Sequence, residues 1–263
     1  MKIEVTGSGP DVVLLHGVPG SPAAWNAVRD LLSADHRVHV ADLLDHHDLS
    51  MPALAEAVAA AVDAPAFVLA GHDFGAPVGL TLAAAHPDRV DGLVLAATNT
   101  FGDTPVPFPL STLFLPLVGG LAERLLFSRA SLRMMIRQGT GTGGGRPDAS
   151  AALTRHAAVR TVFADALRNL RTNYEPVEEA LRGLEVPVEV VWGDRDPFFS
   201  VEQARRTAAA APGSPEPQIL EGAGHFLPEE RPDDLAAAVR RLTPGGARTR
   251  PSRSRTRARA AAR

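Results

Sequence analysis

The sequence predicts an α/β fold: a mostly parallel sheet flanked by helices, with an inserted helical cap. Three observations predict it. Short apolar runs rich in β-branched residues alternate with longer Ala-rich helical runs, the rhythm of a parallel sheet covered on both faces. Between about 98 and 183 that alternation stops and only helical patches remain. It then resumes with Val188-Glu189-Val190-Val191-Trp192. The implied division is a core of 1–97 and 184–242, a helical cap of 98–183, and a tail of 243–263.

Taken in order, Met1-Lys2-Ile3-Glu4-Val5-Thr6 alternates like a strand and lacks the apolar centre of a secretory leader. Val12 to Leu15 reads as a buried strand. A helix over 23–32 is opened by Ser21 as N-cap with Pro22 in the first turn. Strand 37–41, helix 52–62 and strand 66–70 follow. The last of these runs straight into a glycine-bracketed turn, then helix 76–85 and strand 90–96. After the helical block come strand 188–192, helix 201–211, strand 218–220 and a final helix over 233–242.

Composition narrows the function classes. The chain has 263 residues, 45% of them hydrophobic, enough for one large packed domain. It contains no cysteine, which removes disulfides, thiolate catalysis and Cys-bound metals, and fits a cytoplasmic location. Seven arginines and no acid lie after residue 242. The rest of the chain therefore carries −10, against −3 overall. A mildly acidic body predicts no nucleic-acid partner, and the Arg/Ala/Ser tail reads as a disordered, solvated extension. The stretch Pro105–Leu121 is broken by Pro107, Pro109 and Pro116, so no membrane span and no membrane partner is expected. It is read as cap packing, with a pocket wall or a dimer contact as alternatives. A monomer or homodimer is expected.

Four motifs carry chemistry. Gly71-His72-Asp73-Phe74-Gly75 places an acid where a Gly-x-nucleophile-x-Gly turn joins strand to helix. A carboxylate needs no deprotonation to attack, and it suits displacement at an sp3 carbon, giving an alkyl ester of Asp73. The plainer reading, Asp73 as a helix N-cap, weakens once the other motifs are set beside it. His225, in Gly222-Ala223-Gly224-His225-Phe226, stands late in the chain, where a base that activates water is placed. Asp194 and Asp196, in Gly193-Asp194-Arg195-Asp196-Pro197, both compete to orient that histidine. His16-Gly17-Val18-Pro19-Gly20 can present the Val18 N–H, which with that of Phe74 would form an oxyanion hole. His16 itself is expected to support the loop rather than carry protons.

With these motifs in this order, residues 1 to about 242 resemble the α/β-hydrolase superfamily, and within it the epoxide hydrolase and haloalkane dehalogenase branch. His16-Gly17-Val18-Pro19 matches the HGxP motif of epoxide hydrolases, and Gly71–Gly75 is similar to their GHDxG elbow. The resemblance implies Asp73 as nucleophile, His225 as base and Asp196, rather than Asp194, as triad acid. It implies no metal or organic cofactor, and a small, apolar, electrophilic substrate. It also marks departures. The family's epoxide-protonating cap tyrosine would fall on Leu170, and the single tyrosine is Tyr174, four residues on and so near the same helical face. Tyr174 is thus a possible proton donor, with a surface aromatic as the alternative. The halide-binding Trp and Asn of the dehalogenases are replaced by Phe74 and Val18. A haloalkane or haloacid dehalogenase, and a non-hydrolytic relative that binds a small molecule, are the alternatives to an epoxide hydrolase.

Three further features are read as structural. Asp45-His46-His47-Asp48 has metal-ligand residue types, but adjacent histidines diverge and no second cluster completes a site. The Gly139–Pro147 run lacks a phosphate-loop ending and is expected to be a flexible lid loop. Trp25 is expected in the core.

Overall fold

A computed structural model describes residues 1–142, 147 and 154–243. Part of the glycine run (143–146) and all but the first residue of the Arg-rich tail therefore lie outside the described residues. The strands are β1 (Ile3–Gly7), β2 (Asp11–Leu15), β3 (Arg37–Ala41), β4 (Phe67–His72), β5 (Val90–Ala96), β6 (Val188–Gly193) and β7 (Gln218–Leu220). They form one seven-stranded sheet in the order β1-β3-β2-β4-β5-β6-β7. Only β1 is antiparallel to its neighbour, and all other pairings are parallel.

The parallel pairing follows from strands that are apolar on both sides. In β2, Val13 and Leu15 enter one core cluster and Val12 and Leu14 the other. In β4, Phe67 and Leu69 part from Val68 and Ala70 in the same way. Helices fill both faces. In chain order they are α1 (Asn26–Leu32), α2 (Met51–Ala61), α3 (Gly75–Ala85), α4 (Gly119–Leu126), α5 (Arg129–Gly139), α6 (His156–Arg168), α7 (Leu170–Arg182), α8 (Val201–Ala210), α9 (Leu227–Glu230) and α10 (Pro232–Leu242). The expected helix from Ala23 begins instead as a 3-10 turn, Pro22–Trp25. Ser21 caps it by accepting the Ala23 N–H, and α1 follows. Trp25 is fully buried against Val12, Leu14 and Val28.

Between β5 and β6 the described residues form helices only, α4 to α7, with a 3-10 turn at Leu110–Phe114. Their inner faces (Phe127, Leu132, Ile136, Val159, Val162, Val177) join the core cluster on one side of the sheet. That packing brings α7 against α3, directly behind the β4 turn. Among the described residues, no helix is long and apolar enough to cross a membrane.

Candidate active site

The turn after β4 does what its glycines require. Asp73 sits at φ 49, in the left-handed region that L residues seldom adopt. A side chain at Gly71 would meet the Ala76 backbone, and one at Gly75 the Leu15 carbonyl, so both positions must lack a Cβ. The turn is fixed from below. The Asp73 N–H donates to the Ala96 carbonyl at 3.1 Å, and the Thr98 hydroxyl donates to the Asp73 carbonyl at 2.8 Å. The strain is thus held by β5 and its C-terminal extension, and the side chain points up from the sheet's C-terminal edge.

The two oxygens of Asp73 have different surroundings. Oδ1 accepts the Val18 N–H at 2.8 Å, and the Phe74 N–H also bears on the carboxylate. Oδ2 faces His225 Nε2 at 3.6 Å, an ion-pair distance rather than a hydrogen bond. Burial opposes ionisation of Asp73, but the His225 imidazole, its positive charge and the Phe74 N–H outweigh it, so the carboxyl lies below its usual range. On its far side the His225 ring donates from Nδ1 to Asp196 Oδ2 at 2.9 Å. The other oxygen of Asp196 accepts the N–H groups of Phe198 (2.8 Å) and Phe199 (3.1 Å). Asp194 turns away and instead accepts the Gly222 N–H. Asp196 is therefore the carboxylate that His225 meets.

His225 is almost wholly buried between two acids. Burial alone would lower its pKa, yet the Asp196 and Asp73 carboxylates prevail and push it up to about 10. His72 lies beside it, ring centroids 4.9 Å apart, and behaves oppositely. Burial and the neighbouring imidazolium pull it down to about 4, so it is neutral and donates from Nε2 to the His225 carbonyl at 2.8 Å. His16 engages only backbone on both nitrogens within hydrogen-bond range: Nδ1 donates to Gly17 O and Nε2 accepts the Leu43 N–H. It supports the Gly17-Val18 loop.

Above these groups lies a cavity of about 210 Å³. Its floor is Asp73, Phe74, Val18 and His225, and its walls are largely apolar, among them Phe127, Val162, Phe163, Leu167 and Phe199. Leu170 and Tyr174 line it one helical turn apart on α7. Tyr174 is therefore no surface aromatic: it is buried, and among the described residues its hydroxyl has no hydrogen-bond partner. Burial and the Asp73 and Asp165 carboxylates hold its phenol well above the usual range, so it keeps its proton. Asn99 also reaches the lining, but its amide is engaged: Oδ1 accepts from Phe101, Thr104 and Gln203, and Nδ2 donates to the Phe101 carbonyl.

One contributor was not foreseen from the sequence. Glu230, at the end of α9, is buried and accepts three backbone N–H groups: Gly141 (2.9 Å), Gly224 (3.0 Å) and Phe226 (3.2 Å). The last two flank His225 on either side. The His225 N–H itself donates to Gly139 O at 2.7 Å, and Thr142 N–H to Gly222 O. Residues 139–142, expected as part of a flexible lid loop, are thus clasped backbone to backbone against the His225 loop. A side chain at Gly141 or Gly224 would collide with the opposing chain. The signal in the sequence was a pair of Gly-x-Gly stretches, Gly139-Thr140-Gly141 and Gly222-Ala223-Gly224, each small because the other is close.

Among the described residues no group of three potential ligands is placed to hold a metal ion. The His46 ring bonds only to the Asp48 backbone of its own turn.

Residues 12–238 match the model of the alpha/beta hydrolase family. The chain belongs to the α/β hydrolase family. Among curated proteins, it is 28% identical to Mycobacterium tuberculosis Rv2715 over 90% of this chain and 76% of that one. It is 27% identical to the pimeloyl-[acyl-carrier protein] methyl ester esterase of Yersinia pseudotuberculosis, over 87% and 91%. Among solved structures of this α/β hydrolase fold, a candidate epoxide hydrolase from Pseudomonas aeruginosa superposes with a TM-score of 0.70 at 27% identity, covering 89% of this chain and 88% of that one. A thermophilic esterase from Thermogutta terrifontis gives 0.65 at 22% identity, covering 91% of each chain, and speaks for the fold alone.

Proposed function

We propose that this α/β hydrolase opens an epoxide, or a similarly electrophilic sp3 carbon, through a covalent ester on Asp73. The observation that supports it most is the split environment of the Asp73 carboxylate. Oδ1 rests on a backbone N–H, and Oδ2, with the His225 ring 3.6 Å away, faces an apolar cavity that holds a phenol with no hydrogen bond among the described residues. In this reading residues 1–97 and 184–242 form the core, and 98–183 form a cap that roofs the pocket.

In the first step Oδ2 bonds to an epoxide carbon, the C–O bond breaks, and Tyr174 gives its proton to the alkoxide. Forming the ester removes the Asp73 charge. That relieves one of the forces holding the Tyr174 proton in place, and it removes one of the two anions that keep His225 protonated. His225 gives its proton to the Tyr174 phenolate by way of water, restoring the phenol, and so becomes a base when a base is needed. It takes a proton from water, which adds to the Asp73 carbonyl carbon, and the charge on Oδ1 falls on the Val18 and Phe74 N–H groups. Collapse breaks the bond between the carbonyl carbon and the alkyl oxygen, which takes the proton from His225 and leaves as a diol. The proton freed as Asp73 returns to carboxylate goes back to His225.

A haloalkane dehalogenase would need a pair of donors for the departing halide. Among the described residues the lining offers no such pair beside the carboxylate: Val18 and Phe74 have apolar side chains, the Asn99 amide is engaged, and the Tyr174 hydroxyl stands alone. The relatives include an ester hydrolase, and Asp73 is the residue that separates the two chemistries. A panel of epoxides, haloalkanes and carboxylic esters, each run for one turnover in 18O-water, tests this. The expected result is diol formation with 18O entering the Asp73 carboxylate. Ester hydrolysis with no label and no adduct at Asp73 would overturn the covalent reading.

A further inference from the structure

Eight of the ten most exposed large hydrophobic residues fall between 108 and 134 among the described residues. Phe108 is 82% exposed, Leu117 102%, Leu121 62% and Leu125 61%, with Phe114, Leu115, Val118 and Met134 beside them in sequence. The segment read from sequence as internal packing therefore turns much of its apolar surface outward. An exposed apolar patch of this kind marks a docking surface. It begins at the pocket itself, since Pro107 and Leu110 line the cavity while Phe108 between them faces out. Met135 likewise lines the cavity while Met134 is exposed.

The charges beside it are of one sign. Residues 104–142 contain Arg124, Arg129, Arg133 and Arg137 and a single acid, Glu123. Glu123 is held by Arg160 and Arg168. The four arginines are exposed and make no ion pair among the described residues. On α5, Arg129, Arg133 and Arg137 repeat every fourth residue and form one stripe, with Met134 at its edge. On α4, Arg124 flanks the Leu121/Leu125 row. A second copy docking here through a two-fold would set arginines near arginines with no acid to offset them. An apolar surface rimmed by unpaired cations fits a layer of acyl chains beneath anionic headgroups.

We propose that the Phe108–Leu125 face, with the arginines of α4 and α5, seats the protein peripherally on an anionic lipid surface, the pocket mouth turned toward it. The absence of a spanning helix does not bear on this mode of association. Nor does the proposal rest on Asp73 chemistry, since vesicle binding requires no turnover.

The test is co-sedimentation of the full chain with vesicles of phosphatidylcholine containing phosphatidylglycerol, and with phosphatidylcholine alone. The chain is expected to bind the anionic vesicles and to bind the neutral ones far less. Leu117→Ser/Leu121→Ser, two exposed sites outside the cavity lining, is expected to weaken partitioning about tenfold or more, as lost insertion of apolar side chains predicts, with the thermal midpoint unchanged. Arg129→Gln/Arg133→Gln/Arg137→Gln is expected to remove most of the preference for phosphatidylglycerol. These variants leave the seven arginines after residue 242 in place. If the leucine variant binds as tightly as the parent, those arginines account for the binding and the proposal fails. It also fails if the parent ignores vesicles, or if it scatters as a dimer that the leucine variant splits.

Discussion

The floor of the pocket and its roof are held by different forces, and they meet at Tyr174. On the floor, at the strand ends, nearly every polar atom has a fixed partner. Asp196 accepts two N–H groups and a ring nitrogen, and Asp73 Oδ1 accepts the Val18 N–H. The roof, drawn from α4 to α7, meets the core largely through apolar packing at Phe127, Val162 and Val177, with polar ties at its margins, Arg155 to Asp42 and the 139–142 seam. Among the described residues, the polar side-chain atom these helices bring to the lining, the Tyr174 hydroxyl, makes no hydrogen bond. Directional bonds fix an atom to within a few tenths of an ångström, while apolar packing tolerates exchange of similar volumes. The floor is thus suited to set the reaction and the roof to set what enters.

Substitutions should separate the two in order of effect. Asp73→Asn removes the attacking oxygen and is expected to lower kcat by about 10⁴-fold or more, as loss of a nucleophile does. Hydrolysis retained within tenfold would show that the floor does not set the reaction. His225→Gln should stall after one turnover, with a substrate-sized mass shift on the Asp73 peptide. Tyr174→Phe, on the roof, should cost about 10²–10⁴-fold on epoxides, the usual worth of a general acid. It should have little effect on alkyl halides, whose leaving group needs no proton. Equal losses on both would make Tyr174 a packing residue.

Glu230→Gln probes the seam between floor and roof. An amide cannot accept all three N–H groups, and a buried N–H left unsatisfied costs about 1–3 kcal/mol. Turnover should fall on the order of tenfold with KM nearly unchanged, and the melting temperature should drop by about 2–4 °C per kcal/mol lost. The smallest expected effect is a titration. The His225 pKa is raised from 6.5 to about 10, so its protonated form stabilises the fold. That contribution is complete below about pH 6.5 and is lost as pH rises through about 10. Asp73→Asn removes one supporting anion, so the imidazole midpoint followed by NMR should move down. An unmoved midpoint would mean that Asp196 alone sets it.

The same contrast governs what could be read from the sequence. The floor was legible because its chemistry sits in short motifs at strand ends. Strands 37–41, 90–96 and 218–220 lie where the periodicity put them. The choice between Asp194 and Asp196 was not decidable from composition, since both follow β6 closely. Only the turn geometry sends one to His225 and the other to Gly222. The roof was less legible, because amphipathic helices give their inner faces but not their partners. Tyr174 had a helical face and no address. Pro105–Leu121 looked like packing, although much of it points outward. Glu230 was invisible because its partners are backbone N–H groups, one of them 89 residues earlier at Gly141 and two in the His225 loop, and a backbone N–H leaves no letter in the sequence.

The clasp of residues 139–142 against the His225 loop has one more consequence. The two backbones bond directly to one another and share the Glu230 carboxylate. The amides of Gly141, Thr142, Gly224, His225 and Phe226 all donate within this seam. They are expected to exchange as one cooperative unit, released together at a single free energy rather than as a frayed loop and a rigid one. Exchange with solvent deuterium would then report how often the protein, at rest, lets go of its own histidine.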